Sequence, residues 1–157
     1  MADHRILFVC LGNICRSPMA EGVFRHVSEP AGTSRYTIDS AGTGDWHVGA
    51  PPDERAQETL MARGIDISDL RARQVTQRDF DRFDLLLAMD AANMRDLAAI
   101  APLGLDGKVH LYLDYTLGER GQEVPDPYFG GAHGFDHVYD LVERASHGLM
   151  RRLSVKD

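Results

Sequence analysis

Short runs of apolar residues alternate along the chain with longer stretches whose apolar residues recur every three or four positions. The runs are Ile6–Val9, Tyr36–Ile38, Leu85–Met89 and Val109–Leu111, interrupted only by Thr37 and His110. Near-continuous hydrophobicity of this length predicts strands covered on both faces. Helical spacing appears in Met19, Val23, Phe24 and Val27, in Ala56, Leu60 and Met61, and in Met94, Leu97 and Ala98. It is longest in Phe135, Val138, Val142, Ala145 and Leu149. Because strand and helix patterns alternate, the expectation is one α/β domain over residues 1–157, a four-stranded parallel sheet with helices on both faces. Such sheets bind ligands in the loops at the carboxyl ends of their strands. The glycine-rich stretches Gly42–Gly49 and Gly130–Gly134 read as loops.

Composition narrows the function classes. With 43% hydrophobic and 26% charged residues the chain has what a full core needs. Its net charge of -7 argues against nucleic acid and anionic membranes as partners. Any phosphate must therefore be gripped locally. The apolar run Ile6–Leu11 is far shorter than the ~20 residues of a membrane span, and no secretory signal is expected at residues 1–5. Two cysteines, not spaced as Cys-x-x-Cys, do not make a disulfide scaffold. A cytoplasmic location and a chemical role for cysteine are the expectation.

The strongest local signal follows the first strand, where Cys10-Leu11-Gly12-Asn13-Ile14-Cys15-Arg16-Ser17-Pro18 runs into a helical pattern at Met19. Ser17 is a favourable N-cap and Pro18 suits a first helical position, so the helix is predicted to begin at Pro18. A helix start directs free N–H groups and positive potential into the loop before it. Five residues between Cys10 and Arg16 suffice to curl round one tetrahedral oxyanion, with Gly12 and Asn13 suited to positive φ. Arg16 offers a planar fork to two phosphate oxygens, and the positive field favours Cys10 as a thiolate nucleophile. The bare Cys-x5-Arg spacing is weak evidence, and the alternative is a buried strand-end thiol beside a surface arginine. Its place between a strand and a helix is what gives it weight.

The segment Val9–Glu21 resembles the signature of the low-molecular-weight protein tyrosine phosphatases. The likeness continues through Ser40–Trp46, Ala72-Arg73-Gln74, Met89-Asp90 and Asp126-Pro127-Tyr128, so it covers nearly the whole chain. Trp46 is similar to the entrance residue of bacterial members. The resemblance implies Cys10 as nucleophile, Arg16 as phosphate clamp, Ser17 as stabiliser of the thiolate and Asp126 as general acid. Leu11, Gly12, Asn13, Ile14 and Cys15 would complete the substrate-binding loop, with Ser40, Asp90 and Asn13 supporting it. Where the family commonly carries His, this chain has Leu70.

Cleaving a phosphate ester requires a proton for the departing oxygen, and nothing in Cys10–Ser17 donates one at neutral pH. Asp126 lies between Pro125 and Pro127, which stiffen its loop, and Tyr128, Phe129 and Trp46 would wall a slot for a phenolic ring. Standing alone, Pro-Asp-Pro would be read as a turn and Trp46 as core. His133 and His137 stand one helical turn apart but lack a third ligand, so neither metal nor cofactor is expected. Gly42-Thr43-Gly44 lacks the third glycine of a dinucleotide fingerprint.

The expected reaction is metal-independent hydrolysis of phosphotyrosine through a cysteinyl-phosphate. The expected partners are phosphotyrosine proteins and a cognate tyrosine kinase, the protein acting as a monomer. Arsenate reductases of this fold use a further cysteine relay that two cysteines cannot supply, and the related arginine phosphatases carry Thr where Ile14 stands. A noncatalytic phosphotyrosine-binding module would not need nucleophile, clamp and acid together. Cys15, separated from Cys10 by four residues in a loop that must curl round a phosphate, is the candidate redox partner of the nucleophile.

Overall fold

A computed structural model describes residues 4–31, 35–118, 120–128, 130 and 133–155. The strands are β1 (His4–Cys10), β2 (Tyr36–Gly42), β3 (Leu85–Ala88) and β4 (Val109–Leu111). They form one parallel sheet in the order β2-β1-β3-β4, as the alternation implies. The strand order reverses beside β1, and its carboxyl end therefore opens on the crevice where such sheets hold ligands.

Central β1 shows why its sequence is apolar without alternation. Ile6, Phe8 and Cys10 join a core that includes Met19, Phe24, Leu60, Tyr112 and Val142, whereas Leu7 and Val9 join one with Val75, Phe80, Leu86 and Leu97. The first core is covered by α1 (Arg16–Ser28), α2 (Glu54–Met61), α5 (Tyr112–Leu117) and α6 (His133–Val155). The second lies under α3 (Asp79–Arg82) and α4 (Ala91–Ile100). The expected face of α6 is fully confirmed, Phe135, Val138, Val142, Ala145 and Leu149 being at most 1% exposed.

Several local expectations differ from the structure. Met61 and Ala98 face outward, because α2 and α4 bury Ala56 with Leu60 and Asn93 with Leu97. The short helices α3 and α5 span too few residues to produce a readable period. Gly42 closes β2 rather than opening a loop: a Cβ there would stand 2.7 Å from the Leu11 carbonyl oxygen, so only glycine admits this approach of loop to strand. His133 and Gly134 already belong to α6.

Candidate active site

The loop at the end of β1 is tighter than the capping rules suggest. Helix α1 begins at Arg16, with Cys15 at its N-cap, and its first intrahelical bond runs from Met19 N to the Cys15 carbonyl at 3.1 Å. Ser17 is thus inside the first turn and Pro18 occupies its third position, where the missing N–H is still not needed. No side chain caps α1. The Ser17 hydroxyl lies instead 3.0 Å from Cys10 Sγ, so the expected cap is engaged with the nucleophile candidate.

Asn13 is the sole non-glycine residue with positive φ among those described, at 57°. Gly12, expected to share that conformation, does not; what it needs is space, since a Cβ would stand 3.0 Å from His47 Cδ2. The hydrogen bonds of Asn13 orient the whole floor. Its Oδ1 accepts the Arg73 N–H at 3.0 Å, which fixes the amide orientation. Its Nδ2 then donates both hydrogens, to Ser17 Oγ at 2.8 Å and Ser40 Oγ at 3.0 Å. Each hydroxyl is then free to send its own hydrogen elsewhere, Ser40 to Glu21 Oε1 at 2.7 Å and Ser17 to the Cys10 sulfur at 3.0 Å or, at the longer 3.5 Å, to the Ala41 carbonyl. The Asn13 N–H adds a second donor to Sγ at 3.3 Å.

Asn13, Arg16, Ser17, Glu21 and Ser40 are five of the nine buried polar or charged residues described, so polar burial in this fold concentrates under the loop. Such burial is tolerated only when each group is satisfied. Burial raises the Glu21 carboxyl above its ordinary range, against the opposing hydrogen bonds of Ser40 and Arg25. Arg25 meets Glu21 Oε2 at 2.8 Å, and Leu70 packs against the first core, so the network closes without the histidine common at position 70. Glu21 and Arg73 lie in segments that carry the family resemblance, but no role is expected of them from sequence. A glutamate inside an amphipathic helix and an arginine in a loop carry no local sign of burial.

Arg16, 3% exposed, is placed by the segments that follow β3 and α5. Its Nη1 donates to Asp90 Oδ2 at 2.6 Å and to the Val124 carbonyl at 3.1 Å. Asp90 caps α4 through Asn93 N as well, so one carboxylate ties the guanidinium to a helix start. Arg16 Nη2 stands 3.7 Å from Asp126 Oδ2. The sequence-distant Asp126 is therefore brought to Arg16, and its other oxygen accepts the Tyr128 N–H at 3.0 Å.

These residues enclose a cleft of about 220 Å³. Cys10 and Arg16 lie in it with Leu11, Gly12, Ile14 and Cys15, and Asp126, Trp46 and Tyr128 form its walls. Asn13 and Ser17, expected among substrate-binding residues, and Ser40 lie behind the sulfur rather than on the cleft lining. His47 is an added wall, its ring 6.4 Å from that of Tyr128. Phe129 lies outside the described residues. Both cysteines are free thiols, and burial, with Asp53 next, pushes the Cys15 thiol up. Among the described residues no helix is long and apolar enough to cross a membrane.

Comparison with known proteins agrees with this architecture over almost its full length. The low molecular weight phosphotyrosine protein phosphatase from Schizosaccharomyces pombe is 49% identical over 152 residues, covering 96% of this chain and 97% of that protein. The low molecular weight protein-tyrosine-phosphatase of Streptomyces coelicolor is 46% identical over 151 residues, covering 94% and 92%. A crystal structure of protein tyrosine phosphatase from Entamoeba histolytica with Hepes in the active site superimposes with a TM-score of 0.91 at 39% identity, covering 98% of each chain. Residues 5–157 match the low molecular weight phosphotyrosine protein phosphatase family, and the chain belongs to it.

Proposed function

We propose that this protein hydrolyses phosphotyrosine in proteins through a cysteinyl-phosphate on Cys10, without a metal ion. The observation that carries the reading is the meeting in one cleft of Cys10 and Arg16, from the loop after β1, with Asp126, from the loop after α5. Arg16 Nη1 is committed to Asp90 and Val124, which leaves Nη2 and Nε to hold equatorial phosphate oxygens. Uncapped first-turn amides of α1 supply further donors. Trp46 and Tyr128 present apolar faces on which a phenolic ring fits.

In the first step Cys10 Sγ attacks phosphorus in line, the phosphorus–oxygen bond to tyrosine breaks, and Asp126 gives its proton to the departing oxygen. The Ser17 hydroxyl and Asn13 N–H stabilise the thiolate before attack and again when it leaves. In the second step water attacks the cysteinyl-phosphate, Asp126 takes its proton, and the thiolate is released with inorganic phosphate. The test is turnover of para-nitrophenyl phosphate and a phosphotyrosyl peptide with excess chelator. Undiminished turnover that falls about 10⁴-fold or more in Cys10→Ser is expected. Loss of activity on chelation, or a Cys10→Ser variant that keeps turnover, overturns the reading.

We also infer that Cys15 guards the nucleophile. Peroxide oxidises the Cys10 thiolate to sulfenic acid with release of hydroxide, and the Cys15 thiol then attacks that sulfur, forming a disulfide and water. After peroxide and then a dithiol, wild type should recover activity and Cys15→Ser should not. Equal recovery rules this out. Two free thiols of this use suit a cytoplasmic setting.

A further inference from the structure

Asp126 is weakly anchored for a residue that must meet a leaving oxygen. Its side chain is 39% exposed, accepts one N–H from Tyr128 and stands 3.7 Å from the clamp. Its position is inherited from the point where the chain is last fastened, two residues upstream. Val124 is fully buried, donates its N–H to the Met89 carbonyl at 2.8 Å and lends its own carbonyl to Arg16. From there Pro125 passes the direction on with φ fixed.

Glu123 supplies another fastening. Its Oε2 accepts the N–H of Ala91 at 2.8 Å. Ala91 opens α4, so this N–H has no partner within the helix, and the positive helix end favours a carboxylate there. The adjacent residue, Asp90, caps the same turn with Oδ1 and holds Arg16 with Oδ2. One helix start thus seats the clamp through Asp90 and the acid loop through Glu123.

We propose that Glu123 is a positioning residue for the general acid, holding the loop so that Asp126 meets the departing oxygen. The proposal rests on the phosphatase reading above. Glu123 is exposed and does not line the cleft, and its carboxylate bonds Ala91 rather than the loop floor or Arg16, so removing it should leave both in place. The effect should appear only where protonation of the leaving group matters.

The test compares kcat/KM for phenyl phosphate, a poor leaving group, and para-nitrophenyl phosphate, a good one, in wild type, Glu123→Ala, Glu123→Gln and Asp126→Asn. Inhibition by inorganic phosphate is measured alongside. Glu123→Ala should lose about three- to ten-fold on phenyl phosphate and under about two-fold on para-nitrophenyl phosphate, with phosphate inhibition unchanged. Glu123→Gln, which keeps an acceptor oxygen, should recover most of the loss. Equal losses on both esters, a parallel loss of phosphate inhibition, or no loss overturns the proposal while leaving the phosphatase reading intact. If Asp126→Asn itself shows no dependence on the leaving group, the acid assignment falls and Glu123's role with it.

Discussion

Beneath the Cys10 sulfur, Asn13, Ser17, Glu21 and Ser40 are each at most 5% exposed and hand hydrogen bonds to one another, whereas at the mouth Trp46 is 69% and Tyr128 39% exposed. The floor is a set of polar groups that orient one another, because the Asn13 amide, fixed by the Arg73 N–H, donates to both hydroxyls. The mouth is held by ring contacts and single bonds, such as Tyr128 N to Asp126 and Arg55 set 5.5 Å over the Tyr128 ring. The difference follows the chemistry. Donors to the sulfur and to phosphate oxygens work best when they need no rearrangement during reaction. Walls that admit and release a protein side chain gain from being loosely packed.

Four changes break or sharpen this contrast. The largest effect among them is expected for Asp126→Asn, which should slow an ester with a poor leaving group by about 10², measured as kcat/KM, and one with a good leaving group much less. Equal slowing of both would remove Asp126 as the acid. Next is Asn13→Ala on the floor, which strands two buried hydroxyls and the Arg73 N–H and leaves a non-glycine residue at positive φ with no compensating bonds. A loss of about 2–3 kcal/mol of stability by denaturant unfolding is expected, together with a fall in kcat of about ten-fold. A variant as stable as wild type would show that the floor is not held this way.

At the mouth the sign of the effect moves from kcat to KM. Trp46→Ala should raise KM for a phosphotyrosyl peptide about three- to ten-fold while kcat and thermal stability change little. A fall in stability comparable to that of Asn13→Ala would place Trp46 in the packed structure instead. The smallest expected effect is electrostatic. Burial raises the Glu21 carboxyl, so the folded protein holds this proton more tightly than the unfolded chain. The folded state is favoured by this group below its ordinary range near 4.5, and that advantage is lost as pH rises through the raised value. Glu21→Gln should therefore flatten the decline in stability just above pH ~4.5, read from unfolding midpoints at several pH values. An unchanged slope would mean that Glu21 is not the group responsible.

The sequence shows the sheet and the chemistry of the loop more clearly than the way the loop is supported. β1 and the face of α6 are legible because continuous burial and a long helical period leave unbroken patterns; Cys10 and Arg16 stand out by residue type at a strand end, and Asp126, which by itself reads as part of a turn, through the family resemblance. Helix α1 starts two residues before the Pro18 that a capping Ser17 predicts, and only the fold shows the Ser17 hydroxyl turned to Cys10. Glu21, Arg73 and Glu123 act through partners 19, 60 and 32 positions away, and no local pattern reports such pairings. His47 was invisible for a related reason: its place on the wall follows from how close Gly12 lets it come.

The central claim is that phosphate passes through the Cys10 sulfur, and rapid quenching of the enzyme during turnover of para-nitrophenyl phosphate, followed by mass spectrometry of its peptides, tests it most directly. The account requires one HPO3 unit on the peptide containing Cys10, appearing within the first turnover and absent from Cys10→Ser. Phosphate carried by another side chain, or sustained turnover by Cys10→Ser with no modified peptide, would contradict it.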